Sequence, residues 1–164
     1  MSYVTPADLV GRFGAEEIAQ AADRGTPRRL TSELLALAIA GDALAGWAAA
    51  DEAAAAAAMA AISTAIADAQ SLLDGYLAGR YATPLATPPL FLQRATANVA
   101  RRYLHGDAAS EAVVQAAEAA VALGRDIAAG KVKLGDGEQA MTRPAGSVTL
   151  ASSERRFGRV ERGL

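Results

Sequence analysis

Cysteine is absent, and histidine occurs once, as His105. The first absence excludes disulfides, thiol chemistry and Cys-ligated metal. The second excludes sites built from several imidazoles. Aromatic residues make up only 5% of the 164 residues. No charge sign dominates: the formal net charge is −2, so neither a basic nucleic-acid binder nor an acidic tail announces itself. Met1–Pro6 lacks the basic start and apolar run of a secretory signal. No stretch reads as the ~20 predominantly apolar residues that a bilayer span needs, and Ala53–Ala61 is weakly apolar and short. A soluble protein, made in the cytoplasm and without a membrane partner, is therefore expected. The length suits one domain able to bury its own core.

What is present in quantity is alanine. Arginine is the next bias, since every one of the 16 basic residues except Lys131 and Lys133 is Arg. The informative stretch is Ile62–Leu85. Ile62, Ile66, Ala69, Leu73 and Tyr76 recur at helical spacing and define one stripe facing a core. Gly79 is expected to close that helix in the left-handed conformation. Arg80-Tyr81-Ala82-Thr83-Pro84-Leu85 then reads as a turn, because Pro84 disfavours helix at Thr83. A second helix is expected from Pro88-Pro89, where first-turn amides have no partner to lose. The predicted unit is an αα-hairpin with Tyr76, Gly79, Arg80, Tyr81, Pro84 and Leu85 as its structural elbow.

The remaining helices follow from start and stop signals. Thr5-Pro6-Ala7-Asp8 opens a short helix with Leu9, Val10 and Phe13 on its apolar side, and Gly14 stops it. Ala15-Glu16-Glu17 opens a second, running to about Arg24. Two short helices about a Gly turn raise the possibility of a DNA-reading helix-turn-helix. A recognition helix needs basic and amide side chains, whereas this one is acidic. Leu30, Leu34, Leu35, Leu37 and Ile39 mark a third helix, capped by Thr31 or Ser32. Trp47 reads as a core or subunit-contact anchor. Asp51 is the expected cap of a long helix reaching Leu77. The helix from Pro89 should turn Leu92, Ala95, Val99 and Tyr103 inward, and His105 suits its negative end. Arg101 and Arg102 read as ion-pair or solvated residues. A last helix runs from Ser110-Glu111 to Gly130.

Beyond Gly130 the composition changes. Lys131–Leu134 alternates polar and apolar, as a short strand does, and Ser147–Leu150 reads as another. Gly135–Glu138 resembles part of a calcium loop but lacks its spaced ligands. Residues 152–164 carry four arginines, including Arg155, Arg156 and Arg159 around Phe157, against two glutamates. Such a tail reads either as a loose terminus or as a docking segment ordered by a partner, with Phe157 among arginines as its anchor. The fold expected is mainly α: a helical bundle on a long αα-hairpin over 1–130, then short β elements and an extended C-terminal arm over 131–164. No nucleophile–base set, carboxylate pair or phosphate-cradling Gly loop occurs at useful spacing. Asp68 and Asp74 point to different faces of their helix, and Asp74 near Arg80 reads as a structural ion pair. No catalytic residue, cofactor or metal is expected.

Several segments together resemble the Mu-like phage head-to-tail connector (adaptor) family. They are Thr5-Pro6-Ala7-Asp8-Leu9-Val10-Gly11-Arg12-Phe13-Gly14, Ala67-Asp68-Ala69 and Leu73-Asp74-Gly75-Tyr76-Leu77-Ala78-Gly79-Arg80-Tyr81 with Pro84-Leu85. Ala100-Arg101-Arg102-Tyr103-Leu104, Asp126–Gly135 and Ser152-Ser153-Glu154-Arg155-Arg156-Phe157-Gly158-Arg159 follow in the same order. The departure is Gly25–Glu52, which is longer and richer in alanine than the family pattern. The resemblance implies a non-enzymatic virion protein in the neck of a tailed phage. It implies a homo-oligomeric ring, commonly a dodecamer, between the portal protein and the tail-terminator or head-completion protein. DNA would pass through without specific binding, and Arg155, Arg156, Phe157 and Arg159 would reach the portal. The competing class is a small helical DNA-binding or regulatory protein, which would show salt-sensitive affinity for free duplex.

Overall fold

The computed structural model describes residues 2–134. Within them lie six α-helices: α1 Pro6–Phe13, α2 Ala15–Ala22, α3 Ser32–Ala40, α4 Ala49–Leu77, α5 Leu90–His105 and α6 Glu111–Ala128. The caps explain most boundaries. Thr5 and Asp8 form a reciprocal capping box, with the Thr5 amide donating to Asp8 at 2.8 Å and the Asp8 amide donating to the Thr5 hydroxyl at 3.2 Å. Gly14, at φ 92°, turns the chain from α1 into α2. The Thr31 hydroxyl accepts the Leu34 amide at the start of α3, and Gly41 closes it in the left-handed conformation.

α4 begins at Ala49, with Ala48 as its cap rather than Asp51. Alanine propagates helix without a polar cap. Asp51 lies in the first turn and pairs with Arg29 at 3.2 Å. The buried stripe is Ile62, Ile66, Ala69, Leu73 and Leu77, and Tyr76 is half-buried at its edge. The helix ends at Ala78 in right-handed conformation, and Gly79 is not among the glycines with positive φ. The Arg80 and Tyr81 amides both turn back to the Leu77 carbonyl, which satisfies the helix end without a left-handed residue.

α5 packs against α4 across residues 78–89, and α6 packs against both, so the central unit is three helices. α1 and α2 pack on α4 and α5, and α3 packs on α2 and α4. On α5 the buried residues are Leu92, Ala95, Thr96, Val99, Ala100 and Leu104. Tyr103, expected inside, is 40% exposed, because Leu104, one residue further round, takes the core position. α6 ends as a Schellman motif: the Lys131 amide donates to the Asp126 carbonyl and the Gly130 amide to that of Ile127.

No strand occurs among the described residues. Lys131–Leu134 does alternate, with Val132 and Leu134 packed on the core and both lysines exposed. Among the described residues it has no neighbouring strand to pair with. The strand expected at Ser147–Leu150 and the turn Gly135–Glu138 lie outside the described residues. α4 also departs from expectation in hydropathy. By length and composition alone it is long and apolar enough to cross a membrane, with a mean hydropathy of 1.3 over its best window. Alanine raises that mean while adding little area, and the Ile/Leu stripe that lipid would need is covered by protein.

Candidate functional site at the elbow

The elbow is tied down by residues far away in sequence. Tyr3 lies buried where the N-terminal segment crosses α4. Its hydroxyl donates to Asp74 Oδ1 at 2.5 Å and accepts the Leu85 amide at 2.8 Å. Its own amide donates to Gln70 Oε1 at 3.0 Å. Burial, and then the adjacent Asp74 carboxylate, push the phenol's pKa well above its ordinary value. Asp74 therefore holds Tyr3, and no Asp74–Arg80 ion pair occurs among the described residues.

The other end of the elbow meets α6 and the segment after it. Tyr81 is buried, and its hydroxyl accepts the Leu134 amide at 3.3 Å. The Arg80 guanidinium crosses Gly130 so closely that a Cβ there would lie 2.3 Å from Nη1. Gly124 gives α6 a similar close approach to α4: a Cβ at that position would lie 3.1 Å from the Tyr76 ring and 3.4 Å from Leu73. Leu85 packs on the core. Pro84 is exposed and forms one end of a groove of about 600 Å³ whose walls include Val4, Ile66 and Asp74. Tyr76, Arg80, Tyr81 and Leu85 thus hold contacts that join the elbow to α6, the segment after it and the N-terminal segment, Pro84 is exposed at the groove, and Gly79 does not act as the expected left-handed closer.

Two further polar centres are structural. Arg101 forms a two-pronged pair with Glu17, at 2.6 and 2.8 Å, and lies 4.5 Å over the Phe13 ring. His105 reaches the same carboxylate at 2.9 Å. Burial raises the Glu17 pKa, but these bonds outweigh it and hold the group below its ordinary value. Asp23, nearly buried, accepts the amides of Gly25, Arg29 and Leu30 at 2.9, 2.6 and 2.8 Å. Arg102 donates to the Gly106 carbonyl. Arg101, Arg102 and His105 of α5 are thus engaged within the fold. No group of three or more metal-ligating side chains occurs among the described residues. The docking residues expected from sequence, Arg155, Arg156, Phe157 and Arg159, lie outside them.

The long-range partners were the part that sequence reasoning missed. Tyr3 and Asp74 stand 71 positions apart and Glu17 and Arg101 84, and no local spacing signals either pair.

A model of the family described as "Bacteriophage Mu, Gp36" matches residues 3–152, most of the chain. The chain belongs to that family. A member from Haemophilus influenzae (strain ATCC 51907 / DSM 11121 / KW20 / Rd), Mu-like prophage FluMu protein gp36, is 34% identical over 74 residues. The match covers 45% of this chain and 52% of that relative, so the chain spans about half the length of the curated relative it matches. Membership in the Gp36 family makes this a phage-type protein and agrees with the resemblance to a Mu-like phage family read from the opening helix and the elbow.

Proposed function

We propose that the chain is a non-enzymatic structural protein of a tailed phage or phage-like particle, forming the head-to-tail connector ring between portal and tail. The observation that carries this reading is the Gp36 family match from residue 3 to residue 152, which takes in the whole helical body. The body itself supports it. Arg29, Arg101 and Lys131 are held in ion pairs within the fold, and its longest helix turns small side chains to solvent: Ala53, Ala56, Ala57, Ala60, Thr64 and Ala67 are all exposed. Small residues let neighbouring backbones come close, and a head-to-tail contact that closes makes a ring. The partners on this reading are further copies of the chain, the portal protein through Arg155, Arg156, Phe157 and Arg159, and the tail-terminator or head-completion protein. DNA passes through without specific binding, no membrane takes part, and the site is the neck of the virion.

The test is removal of residues 152–164 followed by cosedimentation with portal-bearing capsids. The shortened chain is expected to keep its helical circular dichroism and lose the capsids. Copurification with capsids at the level of the full chain would refute the docking role. A DNA-reading role is disfavoured by α2, whose first turn carries Glu16 and Glu17 and whose Glu17 already holds Arg101. A salt titration with free duplex should show no steep loss of affinity, because little affinity exists to lose.

A further inference from the structure

The ring reading leaves open which surfaces of neighbouring copies meet. Residues two apart on a helix point in nearly opposite directions, about 200° round the axis. Leu72 of α4 therefore lies on a different side from Gln70 and Asp74, which share one, and each side carries its own groove. On the first side, Gln70 and Asp74 join Val4, Ile66, Ala67 and Pro84 around the groove of about 600 Å³. On the second, Leu72 joins α5 and α6 in a hollow of about 560 Å³ beside Val99, Tyr103 and Val121.

The two flanks differ in charge and relief. The first has one charged residue in its lining, Asp74, and no Arg or Lys. Asp74 accepts the Tyr3 hydroxyl at 2.5 Å and a long 3.5 Å contact from Gln70. A carboxylate has about four lone-pair sites, so it retains capacity for an incoming cation. The second flank carries Arg102 and Arg125 against Glu118. It also presents Tyr103, one of three large apolar residues exposed on the described body. Tyrosine and arginine are both enriched among the residues that anchor protein interfaces.

We propose that the Tyr103 flank of one copy seats in the Asp74 groove of the next, with the Tyr103 ring against Val4, Ile66 and Pro84 and Arg125 facing Asp74. The contact is heterologous, joining unlike surfaces, so it propagates in one direction and closes only as a ring or continues as a filament. Opposite charge on the two flanks disfavours like-to-like pairing. This contact rests on the ring reading and supplies its subunit seam.

Complementation tests it. One variant combines Tyr103→Glu with Arg125→Glu, which spoils the knob and leaves the groove. The other, Ala67→Arg, blocks the groove and leaves the knob. All three positions are solvent-exposed, so both variants should keep the helical circular dichroism of the unaltered chain; Arg125→Glu alone serves if the double variant does not. By native mass measurement, each variant alone is expected to be a single chain. An equal mixture should give mixed pairs and nothing larger, because each pair has one spoiled knob and one blocked groove left over. Variants that assemble like the unaltered chain, or a mixture that stays single while the unaltered chain assembles, would overturn this seam and leave the ring reading standing. An unaltered chain that stays single at every concentration and with portal present would overturn both.

Discussion

Asp23 shows how a single side chain fixes a segment that has no secondary structure. Burial alone would raise its pKa, but the amides of Leu30, Gly25 and Arg29 outweigh that and hold it below the usual carboxylate value. A depressed carboxylate contributes stability at pH above its ordinary range, and loses it as pH falls through that range and below. The melting temperature should therefore fall on acidification below about pH 4. Asp23→Asn, which keeps one acceptor oxygen and loses the charge, should cost about 1–3 kcal/mol at neutral pH and flatten the acid limb. Thermal melts from pH 3 to 7 on both chains check this, and parallel curves would refute it. At this scale the caps at Thr5, Thr31 and Gly130 were legible, because these residues act on neighbours within a turn, whereas Asp51, expected to cap α4, lies in its first turn. The partners of Tyr3 and Glu17 were not legible, since only the finished packing brings those residues together. Tyr103 was misplaced for a related reason: its spacing fits the stripe, and the choice between it and Leu104 is made by the neighbouring helices.

Helices that lack a left-handed stop show a different limit of sequence reading. Gly79 looked like the closer of α4, yet the chain closes one residue earlier through amides returning to Leu77. Two glycines inside helices make the contrast testable. Gly75 lies on the exposed side of α4, with nothing within 4 Å of where a Cβ would go. Gly75→Ala should raise stability by about 0.5–1 kcal/mol, because the substitution restores helix propensity at no steric cost. Gly124 on α6 faces Tyr76 and Leu73. Gly124→Val should lower stability by about 1–3 kcal/mol as the ring is forced aside. Denaturant melts of the two variants should move in opposite directions, and matching shifts would contradict the close helix approach. The six helices were legible from caps and periodicity. The strand expected at Lys131–Leu134 was not realised because alternation records which side chains are covered, and here the covering comes from Tyr81 and the helical core.

For the whole molecule, the sequence supplied the family more readily than the mechanism. The opening-helix and elbow patterns pointed to the Mu-like phage family that the match over residues 3–152 bears out. The proposed contact surfaces rest on α4 having two flanks with different chemistry. If copies associate through those flanks, association should stabilise the fold, since a partner that binds only the native state shifts unfolding by mass action. The melting temperature should climb with protein concentration, and should stop climbing in the Ala67→Arg variant. A midpoint independent of concentration for the unaltered chain would argue against self-association through its native state.

The outward side of α4 carries one more implication. Alanine has no rotamers to lose, and serine and threonine have few. A neighbour that settles along Ala53, Ala56, Ala57 and Ala60 would freeze almost no side-chain motion there. Docking on that strip would therefore be governed by how well two backbones match in shape, and a single bulky replacement should act as a wedge rather than as a lost bond.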